Sequence, residues 1–157
     1  MADVTLRPAT DADCIALAAT LRREDRDEIA ASTGRAPLEA LRSSLAMSSH
    51  AVTALDSEGR VICMFGVGSD GFLSDRGSPW LLGSDLVEAH WRLFVRLSRK
   101  YLAAILELYP NLANAVDARA TNTVRWLEWL GFTVGEPTLP GRDGTMFRVF
   151  EMRRDNV

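Results

Sequence analysis

Pro79 to Asp117 reads PWLLGSDLVEAHWRLFVRLSRKYLAAILELYPNLANAVD, and this stretch decides the fold. Pro79-Trp80-Leu81-Leu82 is a short apolar run that stops at Gly83-Ser84-Asp85. From about Trp91 to Tyr109, Phe94, Leu97, Tyr101, Ile105 and Leu108 recur on one stripe of a 3.6-residue period, which predicts a long amphipathic helix. Pro110-Asn111 ends it, and Leu112 to Val116 then reads as a strand closing in Asp117. Strand, long helix, strand is a βαβ unit, whose two strands run parallel.

The flanks extend this unit. Upstream, Val4 to Arg7 alternates as a short first strand before Pro8, and Thr10 or Asp11 can cap a helix that buries Cys14, Leu17, Ala18 and Leu21. Arg22 to Glu28 carries three positive and four negative charges, Ser32-Thr33-Gly34 ends that segment, and Pro37 opens a further helix with Leu38, Leu41, Leu45 and Met47. Two or three short helices therefore precede two β-prone runs, His50 to Leu55 and Val61 to Val67, joined by the polar turn Asp56 to Arg60. Ser69 to Ser78 reads as a loop. Downstream, Thr121 or Asn122 starts a helix that Gly131 ends, Phe132 to Val134 is a strand, Pro137 to Gly144 is a loop, and Met146 to Met152 is a last strand. The sum is a mixed α/β (α+β) fold, about seven strands with flanking helices, in one domain spanning residues 1–157.

Composition narrows the function. The 157 residues are 47% hydrophobic and 25% charged, enough for a core without disulfides or metal. A net charge of -3 argues against a dedicated nucleic-acid binder. Cys14 and Cys63 sit in separate apolar runs with no histidine cluster, so no metal site is expected. Met1 to Arg7 lacks the apolar core of a signal peptide, and no run reaches the roughly 20 residues of a membrane span, which predicts a cytoplasmic protein.

The order of elements, the opening Val4-Thr5-Leu6-Arg7-Pro8-Ala9-Thr10-Asp11-Ala12-Asp13, and Trp126-Leu127-Glu128-Trp129-Leu130-Gly131-Phe132 together resemble the GNAT superfamily of acyl-CoA-dependent N-acetyltransferases, whose closing segment reads "LYEKLGF". Arg23-Glu24-Asp25 with Glu28, Pro79 to Gly83, and Asp117 followed by Arg125 to Phe132 resemble more narrowly the small GNAT-like proteins of tailed bacteriophages, some of them internal virion proteins. That narrower likeness implies the host cytoplasm or the virion as location.

The resemblance implies acetyl-CoA as cofactor, its pantetheine arm lying between strands four and five and its pyrophosphate on the amides opening the long helix. The cofactor-binding residues it assigns are Trp80, Leu81, Leu82, Gly83, Ser84, Arg92, Asn122 and Trp126. It implies an amine acceptor, a small molecule or a protein amino group, and is compatible with a homodimer. The first helices wall the acceptor pocket, which makes Asp25 and Glu28, with Asp117 at the end of strand five, the candidate catalytic residues for amine recognition or proton removal.

Three positions depart from the family pattern. Gly83 to His90 lacks the usual glycine-rich pyrophosphate loop and carries Asp85 and Glu88, against which Arg92, Arg96 and Arg99 could compensate. Leu127 stands where the general-acid tyrosine is usual, and Tyr101 and Tyr109, the chain's two tyrosines, both fall on the long helix. Ala120 stands in place of an asparagine. Plainer readings accompany each site residue: ion pairs such as Arg22 with Asp25 on a solvated helix, a turn role for Asp117, capping for His90, a strand-start role for His50, core packing for Trp80, Trp91, Trp126 and Trp129. A catalytically silent GNAT-like protein with a binding or virion-structural role is the alternative function.

Overall fold

The computed structural model describes residues 3–69, 71 and 74–156. Eight strands form one mixed sheet in the order β1-β2-β3-β4-β5-β8-β6, with β7 also paired to β8. They are β1 (Thr5–Pro8), β2 (Ser48–Leu55), β3 (Val61–Ser69), β4 (Arg76–Gly83), β5 (Asn111–Asp117), β6 (Thr133–Val134), β7 (Leu139–Pro140) and β8 (Met146–Arg153). The helices are α1 (Asp11–Thr20), α2 (Arg23–Ser32), α3 (Pro37–Met47), α4 (Leu86–Ala89), α5 (Trp91–Leu108) and α6 (Thr121–Leu130). The sheet is antiparallel except at β4–β5, where the expected parallel pair occurs.

Local chemistry explains three of the helix ends. Thr10 accepts from the Asp13 amide while the Asp13 carboxylate accepts from the Thr10 amide, a capping box that starts α1. Pro37 occupies the first turn of α3, where its missing N–H leaves no bond unmade. Gly131 closes α6 at φ +107°, a left-handed conformation that costs a glycine little.

Two helical layers sandwich the sheet. On one face Cys14 and Leu17 of α1, Leu21 just after it, Ile29 of α2 and Leu41 of α3 bury Met64, with Trp80 and Leu82 packed alongside. On the other, Leu102, Ile105 and Leu106 of α5 pack with Val124 and Leu127 of α6 over Val67, Leu112, Val116 and Phe150. No helix among the described residues is long and apolar enough to cross a membrane.

The structure corrects several expected details. β4 starts at Arg76, so the loop expected over residues 69–78 is shorter, and its positions 70, 72 and 73, like Met1 and Ala2 of the segment read against a signal peptide, lie outside the described residues. The loop expected after Pro137 contains β7, a two-residue pairing too short for any periodicity to reveal. Met47 is 70% exposed, because position 47 is two residues past Leu45 and points to the opposite side of α3. Leu108, the last residue of α5, is also exposed, whereas Leu102 and Leu106 are buried because the helix packs on α6 as well as on the sheet.

Asp13 ties β1, α1 and β2 together. It is buried and accepts from both Arg7 guanidinium Nη atoms at 2.7 and 2.8 Å, the Thr10 amide at 2.9 Å and the Thr53 hydroxyl at 2.8 Å. Burial pushes its pKa up, but these donors more than reverse that and bring it down to about 2. A depressed carboxylate contributes stability above its ordinary value that disappears as pH falls through the folded one. The expected result is a loss of about 1–2 kcal/mol between pH 4 and pH 2. Asp13→Asn removes this dependence, as urea midpoints across that range will show.

Candidate functional site

The site is an opening in the sheet. β4 and β5 pair only at Arg76 with Asn111 and Gly77 with Leu112. Beyond that the Asn114 side-chain amide donates to the Pro79 carbonyl at 2.8 Å, the last link before the strands part. They part because each has another partner. β5 stays paired with β8 from Asn111 to Asp117. The end of β4 is held by α2: the Gly83 amide donates to Asp25 Oδ2 at 2.8 Å and the Arg22 amide donates to the Gly83 carbonyl at 2.9 Å. Hydrogen bonds alternate along an antiparallel pair, so Pro79, Leu81 and Gly83 all direct their main-chain groups away from β3. Pro79 and Gly83 are thus occupied, and the Leu81 N–H and C=O face the opening, where no strand among the described residues meets them.

A cleft of about 620 Å³ passes through this opening and is lined from both faces of the sheet. Glu24, Asp25 and Glu28 of α2, Thr33, and Ser43 and Ser44 of α3 wall it on one side. Phe94 and Tyr101 of α5, His90, and Asn122, Trp126 and Leu127 of α6 wall it on the other.

Of the three acids singled out in the sequence, Asp25 and Glu28 line the cleft, and Asp117 does not line it but lies near enough to Glu28 to act on its charge. Glu28 is half-buried, and its pKa is raised to about 7 by burial first, then by the nearby charges of Asp25 and Asp117. Asp25 and Asp117 are themselves committed. Asp25 is 5% exposed and accepts from Arg22 Nε at 2.7 Å as well as from Gly83. Asp117 is 4% exposed and accepts from Arg119 Nη2 at 2.7 Å and from the Arg119 amide at 2.9 Å, which hold its pKa below the usual carboxylate range. So the ion pair read at Arg22–Asp25 and the turn role read at Asp117 are both present. Glu28 has no cationic side chain bonded to it among the described residues.

The expected cofactor residues divide by face. Leu81 packs with Phe94 and Tyr101, while Trp80 and Leu82 point through the sheet to the α1–α3 side. The Trp80 N–H donates to Ser48 Oγ at 2.7 Å, and its ring crosses Gly66, where a Cβ would come within 2.9 Å of Nε1. Trp80 thus packs and positions, although it also lines the cleft. Ser84 is buried and its hydroxyl is spent on the Val61 and Ile62 carbonyls of β3. Trp126 stacks on Phe94 with ring centroids 5.3 Å apart, and Asn122 lies in the first turn of α6.

The segment expected to hold pyrophosphate contains the short helix α4, with Asp85 and Glu88 exposed. The amides of Trp91, Arg92 and Leu93 at the start of α5 have no acceptor among the described residues, so an anion there would meet free N–H groups. Arg92 is exposed in that turn. Arg99 instead lies 3.9 Å over the Trp129 ring, while Arg92 and Arg96 are exposed and do not line the cleft. Sequence reasoning missed Asn114, whose link across the opening depends on a register set by β8, and set aside Tyr101, which lines the cleft and whose buried hydroxyl has no hydrogen-bond partner among the described residues.

Known structures share this fold. A provisionally assigned acetyltransferase of Acinetobacter baylyi ADP1 superposes with a TM-score of 0.72 over 99% of this chain and 94% of its own, at 12% identity. The GCN5-related N-acetyltransferase of Kribbella flavida gives 0.67 over 96% and 97%, at 19% identity. The chain has the GNAT fold. A third GNAT-like structure, yncA of Salmonella typhimurium, also a provisionally assigned acetyltransferase, was solved with its cofactor acetyl-CoA and gives 0.67 over 99% and 96%, at 15% identity. No family model and no curated protein matches the sequence. None of these three structures is a bacteriophage protein, so the narrower likeness to phage GNAT-like proteins rests on the sequence motifs alone.

Proposed function

We propose that the chain is an N-acetyltransferase in which acetyl-CoA and an amine approach through opposite faces of the sheet and meet between β4 and β5. The single observation that carries this reading is the cleft itself, open through the sheet beside an unpaired strand edge, with Glu28, which no cationic side chain pairs among the described residues, on the α2 side. When bound, acetyl-CoA supplies an activated acyl group. The residues present fit it: the Leu81 edge suits the amides of a pantetheine arm, the free amides of Trp91, Arg92 and Leu93 with the Arg92 side chain suit a pyrophosphate, and Asn122 stands at the cleft wall.

Glu28 then binds the acceptor's ammonium group and takes its proton. A base with a pKa near 7 is ionised in half its molecules at neutral pH and still basic enough to accept a proton. Asp25 and Asp117 act on Glu28 through their charge and raise that basicity; Arg119 holds Asp117 below the usual carboxylate range, whereas burial raises Asp25 against the opposing pull of Arg22. The acidic wall favours a cationic acceptor, a small amine or a protein amino group.

A specific observation supports a second reading, a catalytically silent GNAT-like binding protein: Leu127, at the family's usual tyrosine position, is buried in the core and can give no proton. A phage source belongs to both readings, and a virion role to this second one, through the sequence motifs alone. Calorimetric titration with acetyl-CoA, followed by thiol release with a panel of primary amines, decides between them. The enzyme gives saturable one-to-one binding and amine-dependent release. Binding without release on any amine favours the silent protein, and no heat at millimolar acetyl-CoA overturns the proposal.

A further inference from the structure

One cation on the α2 side of the cleft has no anion. Among the described residues Arg22 and Arg35 are the arginines that line the opening, and Arg22 is spent on Asp25. Arg35 is exposed and pairs with no carboxylate among them. Its place is fixed all the same. The Thr33 and Gly34 amides both donate to the Ile29 carbonyl, and Gly34 at φ +68° turns the chain out of α2. The Arg35 amide donates to Thr33 Oγ1 at 3.2 Å, and Arg35 Nη1 donates to Ser43 Oγ of α3 at 2.9 Å. That bond holds the guanidinium and leaves the rest of its donor fork open. Charge therefore runs in one direction along this wall. Glu24 and Glu28 lie one turn apart on α2, Ser32 lies a turn further on, and Arg35 follows the helix end, all four lining the cleft.

We infer that the acceptor is an amino carboxylate, a small amine that also carries a carboxylate, with its ammonium at Glu28 and its carboxylate on the Arg35 guanidinium. This rests on the reading of the cleft as an acetyltransferase site and names the class of acceptor that site takes. A polyamine would satisfy the acids of α2 but would turn a second positive charge toward Arg35, which repels it. A simple amine would leave the guanidinium with nothing to bind. A carboxylate suits it, because the planar fork takes both oxygens at once and so fixes the direction in which the rest of the acceptor points. With Arg35 at one end of the wall and Glu28 nearer the middle of α2, that direction presents the amine to the base. Arg35 is thus a specificity-determining residue and takes no part in proton transfer.

The test compares acids with their carboxamides, which differ only in that charge. L-leucine, 4-aminobutyrate and 6-aminohexanoate, each against its amide, are titrated calorimetrically into the CoA-loaded protein, and KM is read from thiol release with acetyl-CoA. In the pair whose spacing fits, the acid is expected to bind about 10-fold more tightly than the amide, the low end of the worth of a hydrogen bond to a charged group. Arg35→Gln is expected to bring that ratio to about 1 by weakening the acid, and Arg35→Glu to reverse it, because the new carboxylate repels the acceptor's own. Both variants are expected to melt as wild type does, since Arg35 is exposed and belongs to no core cluster. Amides that bind wild type as tightly as the acids overturn the inference while leaving the acetyltransferase reading standing. Equal weakening of acid and amide in Arg35→Gln, with a lower melting temperature, assigns Arg35 to holding α2 against α3 and also overturns it. Thiol release with none of these compounds, nor with simple primary amines, overturns both the inference and the reading beneath it.

Discussion

Glu28→Gln lowers kcat for acetyl transfer by about 10²–10⁴-fold, the usual worth of a positioned base, and leaves the protein folded. In wild type, kcat/KM rises with pH through about 7, because only ionised Glu28 can accept the amine's proton. That limb is absent from the residual activity of the variant. The same substitution stabilises the fold, and the sign follows from linkage. Unfolded, the carboxyl releases its proton near its ordinary 4.5; folded, it holds it to about 7, so between these values the unfolded chain binds fewer protons and stability falls as pH rises. Gln escapes this penalty. Allowing for partial exposure, the gain is about 1–2 kcal/mol at pH 8 and nothing at pH 4, read as thermal midpoints. Equal turnover in the variant and wild type would remove Glu28 as the base, whatever its effect on stability.

The second large effect falls on stability. Asp25→Ala leaves the Arg22 guanidinium half-buried without its carboxylate and the Gly83 amide without an acceptor. Removing one partner of a buried ion pair costs about 3–5 kcal/mol, a large share of an ordinary domain's stability. Because this pair anchors α2 to the end of β4, the loss also lets the strands close toward each other, so acetyl-CoA affinity falls with the urea midpoint. Asp25→Asn is milder, since Asn still accepts from Gly83, and it shifts the acid limb of activity below pH 7 by removing a charge beside Glu28. A native urea midpoint for Asp25→Ala would show that the anchor contributes nothing.

The parts of the fold legible in the sequence were those with a long period or a committed terminus. The eighteen-residue α5, the β2–β3 hairpin and the glycine at the end of α6 each carry their own local signal. β4 was legible only over Trp80 to Leu82, because Gly77 and Pro79 look like loop residues. They are tolerated because Gly77 sits under the Tyr109 ring, where a Cβ would come within 2.9 Å, and Pro79 directs its nitrogen away from β3.

At the site, the acidic stretch of α2 was visible as charge, but the division of labour within it was not. Asp25 and Glu28 lie three residues apart on one helix, and only the tertiary partners Arg22 and Gly83 separate an anchored carboxylate from a free one. The face taken by Trp80 depends on strand register, where a shift of one residue would exchange it with Leu81. Orphaned donors such as Tyr101 are invisible in sequence, because having no partner is a property of the packed state.

A structure with acetyl-CoA bound tests the central claim most directly. The account predicts the pantetheine arm along Leu81 between β4 and β5, entering from the α5–α6 side, with the thioester reaching the opening beside Glu28. Acetyl-CoA seated elsewhere, or a thioester on the far side of the sheet from Glu28, would contradict it.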